Sequence, residues 1–135
     1  MTDARVALNS LRARNDDVAK ICRNRGVVLM TAFGSAVEPT GNPHDLDLAV
    51  LFDRALPEPD VLGLLDDLIR VSEFQDVDLM VLNNAGPVAR ERALVGSVRL
   101  FDAAPGILTR EQLAAILERM DTQWLRDLAI AGMAR

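Results

Sequence analysis

The sequence predicts an α/β (α+β) domain built on one small mixed β-sheet of about four strands flanked by helices. Three observations carry this. Short apolar, β-branched runs alternate with segments of helical periodicity. Gly26, Gly34, Gly41 and Gly96, with Pro39 and Pro43, fall between these segments. No linker, repeat or low-complexity tract divides residues 1–135, which therefore read as a single domain.

From about Asp3 to Arg25, Leu8, Leu11, Val18, Ile21 and Cys22 recur at helical spacing, and Gly26 stands where a helix ends left-handed. Val27 to Phe33 is a nearly continuous apolar run, as expected of a buried strand. Gly34-Ser35 interrupts it, and a loop with Pro39, Gly41 and Pro43 follows. Asp45 to Phe52 alternates acidic and apolar residues, so a second strand carries Asp45 and Asp47 on one face. The short link predicts that these two strands pair antiparallel.

Pro57 and Pro59 open a helix to about Val71, with Asp60 near its positive end. Val77 to Leu82 is a third strand, and Asn83 to Val95 a helix entered through Asn84 and Pro87 and closed by Gly96. Ser97 to Phe101 is a short fourth strand. Thr109-Arg110-Glu111-Gln112 matches a capping box, so a C-terminal helix runs from about 109 to 133. Its stripe of Leu113, Leu117, Met120, Trp124 and Leu128 either covers the domain's own core or forms an anchor for a partner.

Composition narrows the function. Half the residues are hydrophobic and 26% are charged, which describes a globular chain. A net charge of −5 argues against a broad grip on a nucleic-acid backbone, so no direct nucleic-acid binding is expected. No apolar stretch approaches the ~20 residues needed to span a bilayer, and no secretory signal is evident. With one cysteine, read as a small core residue, the expected compartment is the reducing cytoplasm.

Three aspartates carry the chemistry. Asp78 interrupts Val77-Asp78-Leu79-Met80-Val81-Leu82, a run otherwise suited to an interior strand. A carboxylate left unpaired there would cost several kcal/mol, on the order of a desolvated ion. A solvent-facing strand end, an arginine partner or a cation would each relieve it. Asp45 and Asp47 project from one face about 6–7 Å apart and repel each other. If their strand lies beside that of Asp78, all three acids converge and a divalent cation offsets the repulsion. Gly34-Ser35 supplies the other half of a nucleotide site, because glycine admits a phosphate close to the backbone and the serine hydroxyl donates to it. Arg90 and Arg92 either touch phosphates or acidic partner residues or, the favoured reading, are solvated helix charges, and His44 either contacts nucleotide or, again favoured, is an ordinary loop histidine.

Phe33-Gly34-Ser35, nine intervening residues, Asp45-Leu46-Asp47-Leu48 and then Val77-Asp78-Leu79 resemble the signature of the DNA polymerase β-type nucleotidyltransferase superfamily. The short length is similar to that of its minimal nucleotidyltransferases (MNT), many of which are antitoxins paired with a HEPN-domain ribonuclease toxin. The resemblance implies a nucleotidyltransferase fold in which Asp45, Asp47 and Asp78 form the catalytic and metal-binding set for two Mg²⁺ ions. Asp78 would also help activate the acceptor hydroxyl, and Gly34 and Ser35 would hold the triphosphate of ATP. It further implies transfer of AMP from ATP to a hydroxyl, a tyrosine, of the HEPN toxin, which neutralises it. The chain departs from the pattern in two places: Ala36-Val37-Glu38-Pro39-Thr40 replaces basic residues after Gly-Ser, and His44 replaces a serine.

No acceptor-gripping second domain fits within 135 residues, so a partner protein or a second copy of the chain, as in a homodimer, must complete the acceptor half. The chain contains no tyrosine and cannot be its own tyrosine acceptor. Three other readings stay open: an antitoxin acting by binding alone, a stand-alone enzyme modifying a small molecule, and a nucleotide-sensing regulatory module that binds ATP without turnover.

Overall fold

A computed structural model describes residues 3–39 and 43–133 of the chain. Thr40 and Gly41 of the predicted loop lie outside the described residues. The elements in order are α1 (Ala4–Ala13), α2 (Asn15–Arg25), β1 (Val27–Phe33), β2 (Leu46–Phe52), α3 (Val61–Ser72), β3 (Val77–Val81), α4 (Pro87–Leu94), β4 (Val98–Asp102) and α5 (Ile107–Met133). The four strands form one mixed sheet in the order β3-β2-β1-β4. β1 is antiparallel to both β2 and β4, as the short β1–β2 link predicts, while β2 and β3 are parallel.

Each face of the sheet has its own core. Leu46, Leu48, Val50 and Phe52 of β2 point to the face covered by α1, α2 and α3, packing with Leu8, Leu11, Val18, Leu64 and Leu68. Ala49 and Leu51 point the other way, toward Ala93 and Leu94 of α4 and Ala115 of α5. Strand alternation therefore puts Asp47 on the α4/α5 face. Cys22 is fully buried in the first core, and desolvation pushes its thiol up to about 12, consistent with an inert packing residue.

Four sequence expectations are corrected. The first helical region is two helices, broken at Arg14 (φ −103°, ψ 41°). A straight helix over it would be about 33 Å long, against roughly 19 Å for four strands side by side, so the chain bends to keep both segments on the sheet. Arg14 secures the bend by donating from Nη1 to the Val71 carbonyl at 3.2 Å. α3 begins at Val61 rather than at the prolines, with the Asp60 side chain accepting from Gly63 N–H at 2.9 Å.

Asn83 does not start a helix. Its amide accepts from Phe52 N–H (2.9 Å) and donates to Phe52 O (3.0 Å), extending the sheet ladder with a side chain. The capping box is not formed either, because α5 starts two residues before Thr109, at Ile107. Glu111 instead accepts from Arg90 (3.0 Å) and Arg54 (3.3 Å), and Gln112 donates to Leu94 O at 2.9 Å. These residues tie α5 to α4 rather than capping their own helix. Among the described residues no helix is long and apolar enough to cross a membrane.

Candidate active site

β1 ends where β2 and β3 begin, and the candidate residues gather at that end of the sheet. Phe33, the last residue of β1, pairs with Asp47, and Asp47 in turn pairs with Asp78 across the parallel β2–β3 ladder. Asp45 lies two residues earlier, on the exposed lead-in to β2. Gly34, Ser35 and Ala36 form a single 3₁₀ turn directly after β1.

Gly34 adopts φ +77°, a region that penalises any side chain. A Cβ there would also collide with Oδ2 of Asp47 and lie 3.3 Å from its Cγ. The Gly-Ser turn and the acidic strand are thus in direct contact, which sequence spacing alone does not establish. Gly34→Ala is expected to lower stability by about 1–2 kcal/mol through the backbone term, with a further loss from the collision. Thermal melting checks this: adding Asp47→Ala removes the collision and should recover part of the loss.

Burial differs among the acids. Asp47 is half-buried, whereas Asp45 and Asp78 are exposed. The expectation that Asp78 sits in an interior strand is therefore corrected. β3 is the edge of the sheet, and an edge strand leaves its carboxylate in water. The strained member is Asp47, whose pKa is raised by burial first, then by the Asp78 charge and, more weakly, by Asp45. Arg92 opposes the shift.

Of the two readings the sequence leaves for that arginine, a phosphate contact or a solvated helix charge, its place in the structure favours the first. Arg92 lies 5.6 Å over the Phe33 ring and lines a cleft of ≈ 390 Å³ with Gly34, Ser35, Val37 and Glu38. Arg90 is not a solvated charge. It is bound to Glu111 and Glu118 between α4 and α5. Residues two apart on a helix point to nearly opposite sides, so α4 presents Arg90 to α5 and Arg92 to the cleft. His44 is exposed beside Asp45.

Among the described residues no three His, Cys, Asp or Glu side chains form a ready-made metal cage. The donor set nevertheless suits a hard cation. Mg²⁺ takes one or two carboxylates and completes its octahedron with water and phosphate oxygens. The repulsion around Asp47 is what such an ion relieves.

Solved structures share this fold. One chain of a toxin–antitoxin crystal structure with AMP-PNP aligns with a TM-score of 0.70 at 22% identity, covering 90% of this chain and 99% of that one. A chain from the complex of a tri-AMPylated Shewanella oneidensis HEPN toxin with its MNT antitoxin gives 0.66 at 20% identity, covering 93% and 99%. A chain of the MntA–HepT toxin–antitoxin complex gives 0.64 at 20%, covering 90% and 97%. Among curated proteins none matches significantly in sequence. The family model "polymerase beta, nucleotidyltransferase" matches residues 16–105, a span running from α2 through every strand and the whole acidic end of the sheet, and the chain belongs to that nucleotidyltransferase family.

Proposed function

We propose that this chain, as a single domain over residues 1–135, transfers AMP from ATP to a tyrosine hydroxyl of a HEPN-type ribonuclease toxin and so acts as its antitoxin in the cytoplasm. The observation that carries the reading is the contact of the half-buried Asp47 carboxylate with Gly34 on one side and its register pairing with Asp78 on the other. Phosphate-admitting backbone and clustered negative charge meet there, which is the arrangement a nucleoside triphosphate with a divalent cation needs. The solved relatives support the partner: they are toxin–antitoxin complexes, one with an ATP analogue and one with an AMPylated HEPN toxin.

In this proposal Asp45, Asp47 and Asp78 hold Mg²⁺, in a two-ion arrangement. The metal, when bound, lowers the pKa of the acceptor hydroxyl and neutralises charge on the departing pyrophosphate. Gly34 leaves room for the triphosphate, and Ser35 donates its hydroxyl to a phosphate oxygen. Asp78, on the open edge strand, faces the side from which an acceptor can arrive and takes its proton on a carboxylate oxygen. In-line attack at the α-phosphorus then releases pyrophosphate. Positioning and preorganised charge account for most of the rate.

The acceptor must be held by something else, because the described chain presents no second lobe over the acids. The ridge of Leu113, Leu117, Met120, Trp124 and Leu128 is 53–64% exposed and so does not cover a core. We assign it to the partner. That ridge also favours a second contribution, inhibition by binding itself.

Incubation with α-labelled ATP, Mg²⁺ and the partner toxin tests the reading. Label is expected on the toxin, with loss of its ribonuclease activity. Full neutralisation without any label would leave binding alone as the function.

A further inference from the structure

We infer that Arg92 is the cation that grips the phosphate tail of the nucleotide, an assignment that rests on the proposed nucleotidyl transfer and adds a binding residue to it. The turn that holds Gly34 and Ser35 continues through Ala36, Val37 and Glu38 without a positive charge. A triphosphate entering there would meet an exposed carboxylate from Glu38 and, against Gly34, that of Asp47, so the site needs a cation from elsewhere. Among the described residues, Arg92 is the sole basic side chain lining that cleft.

Three observations support the assignment. Arg92 is exposed and forms no ion pair or hydrogen bond among the described residues, whereas its neighbours on α4 are committed to α5, Arg90 to Glu111 and Glu118 and Glu91 to Arg119. Its guanidinium stacks over Phe33, the residue immediately before Gly34, which limits its wandering and aims it along the cleft wall. It is also close enough to Asp47 to act on that carboxylate. The cation therefore lines the cleft beside the Gly-Ser turn and acts on the carboxylate that touches it, where phosphate oxygens would lie. A planar guanidinium also matches a phosphate in a paired, fork-like contact that lysine does not reproduce.

Calorimetric titration of the full chain with ATP and, separately, with adenosine, each with Mg²⁺, tests this in the wild type and in Arg92→Ala and Arg92→Lys. Arg92→Ala is expected to weaken ATP about 10–100-fold, as for loss of a charge-assisted contact, with adenosine affinity unchanged. Arg92→Lys should recover part of the ATP affinity. Unchanged ATP affinity in Arg92→Ala overturns the assignment while leaving the nucleotidyltransferase reading standing. Equal weakening of ATP and adenosine also overturns it, since the residue would then be shaping the cleft rather than holding phosphate. A wild-type chain that binds no ATP overturns both.

Discussion

Asp47→Asn is expected to lose nearly all AMP transfer and, at neutral pH, to melt at a higher temperature than the wild type. The two effects have one origin. Asp47 is half-buried, pairs in register with Asp78 and feels Asp45 as well, so its carboxyl titrates above the ordinary value of 3.8. A raised acid pKa means that the folded state resists ionisation. Below 3.8 the group is protonated in folded and unfolded chains alike, and no penalty exists. As pH rises through the folded pKa, the unfolded chain ionises freely while the folded one does so at a cost, which persists at pH 7. Asparagine keeps the shape and removes the charge. We expect a gain in melting temperature at pH 7 that disappears near pH 3.5. Transfer should fall on the order of 10³-fold, as for loss of a principal electrostatic element of a phosphoryl-transfer site. Millimolar Mg²⁺ should raise the melting temperature of the wild type and leave Asp47→Asn unmoved. A variant less stable than the wild type at neutral pH, or one that transfers AMP within about tenfold of the wild-type rate, would contradict the account.

The same residue shows what could be read from sequence. The alternation from Asp45 to Phe52 places a strand and the facing of its acids, because only extended backbone returns every second side chain to one face. The interrupted apolar run before Gly34 places β1 and the turn after it. What pattern could not reveal was which strand lay at the edge. Val77–Val81 reads as interior by composition, yet among the described residues its outer side has no neighbouring strand, so Asp78 is exposed and Asp47 carries the desolvation. Nor could pattern separate Arg90 from Arg92. They are two residues apart on one short helix, and only the packing of α5 against α4 decides which is consumed by structure and which is left to the cleft. The break at Arg14 is equally silent in sequence, since Leu11 and Val18 are seven residues apart and continue one helical stripe whether or not the helix bends.

The other large expected effect lies in the ion cluster behind Arg92. Glu111→Ala is expected to destabilise the fold by about 2–4 kcal/mol, roughly 10 °C in melting temperature. The Glu111 side chain is only 7% exposed and that of Arg90 only 14%, and they meet at 3.0 Å. Arg90 also reaches Glu118 at 2.8 Å, but that carboxylate is 46% exposed and cannot replace Glu111 in the interior. Truncating Glu111 thus leaves a guanidinium largely out of water with one weak counterion, while its Nε already lacks a partner. The loss comes from the stranded charge rather than from the missing attraction, and a second variant separates the two. Arg90→Met combined with Glu111→Leu removes both charges and fills similar volume, and it should restore most of the stability. If the double variant were as unstable as Glu111→Ala, the cluster would matter through its hydrogen-bond geometry. The helix at stake is eight residues long, buries only Ala93 and Leu94, and presents Arg92 to the cleft. A helix that short is held in place by its neighbours and not by its own hydrogen bonds. The double variant should therefore also retain ATP affinity, whereas Glu111→Ala should lose part of it without any change at a residue that touches the nucleotide.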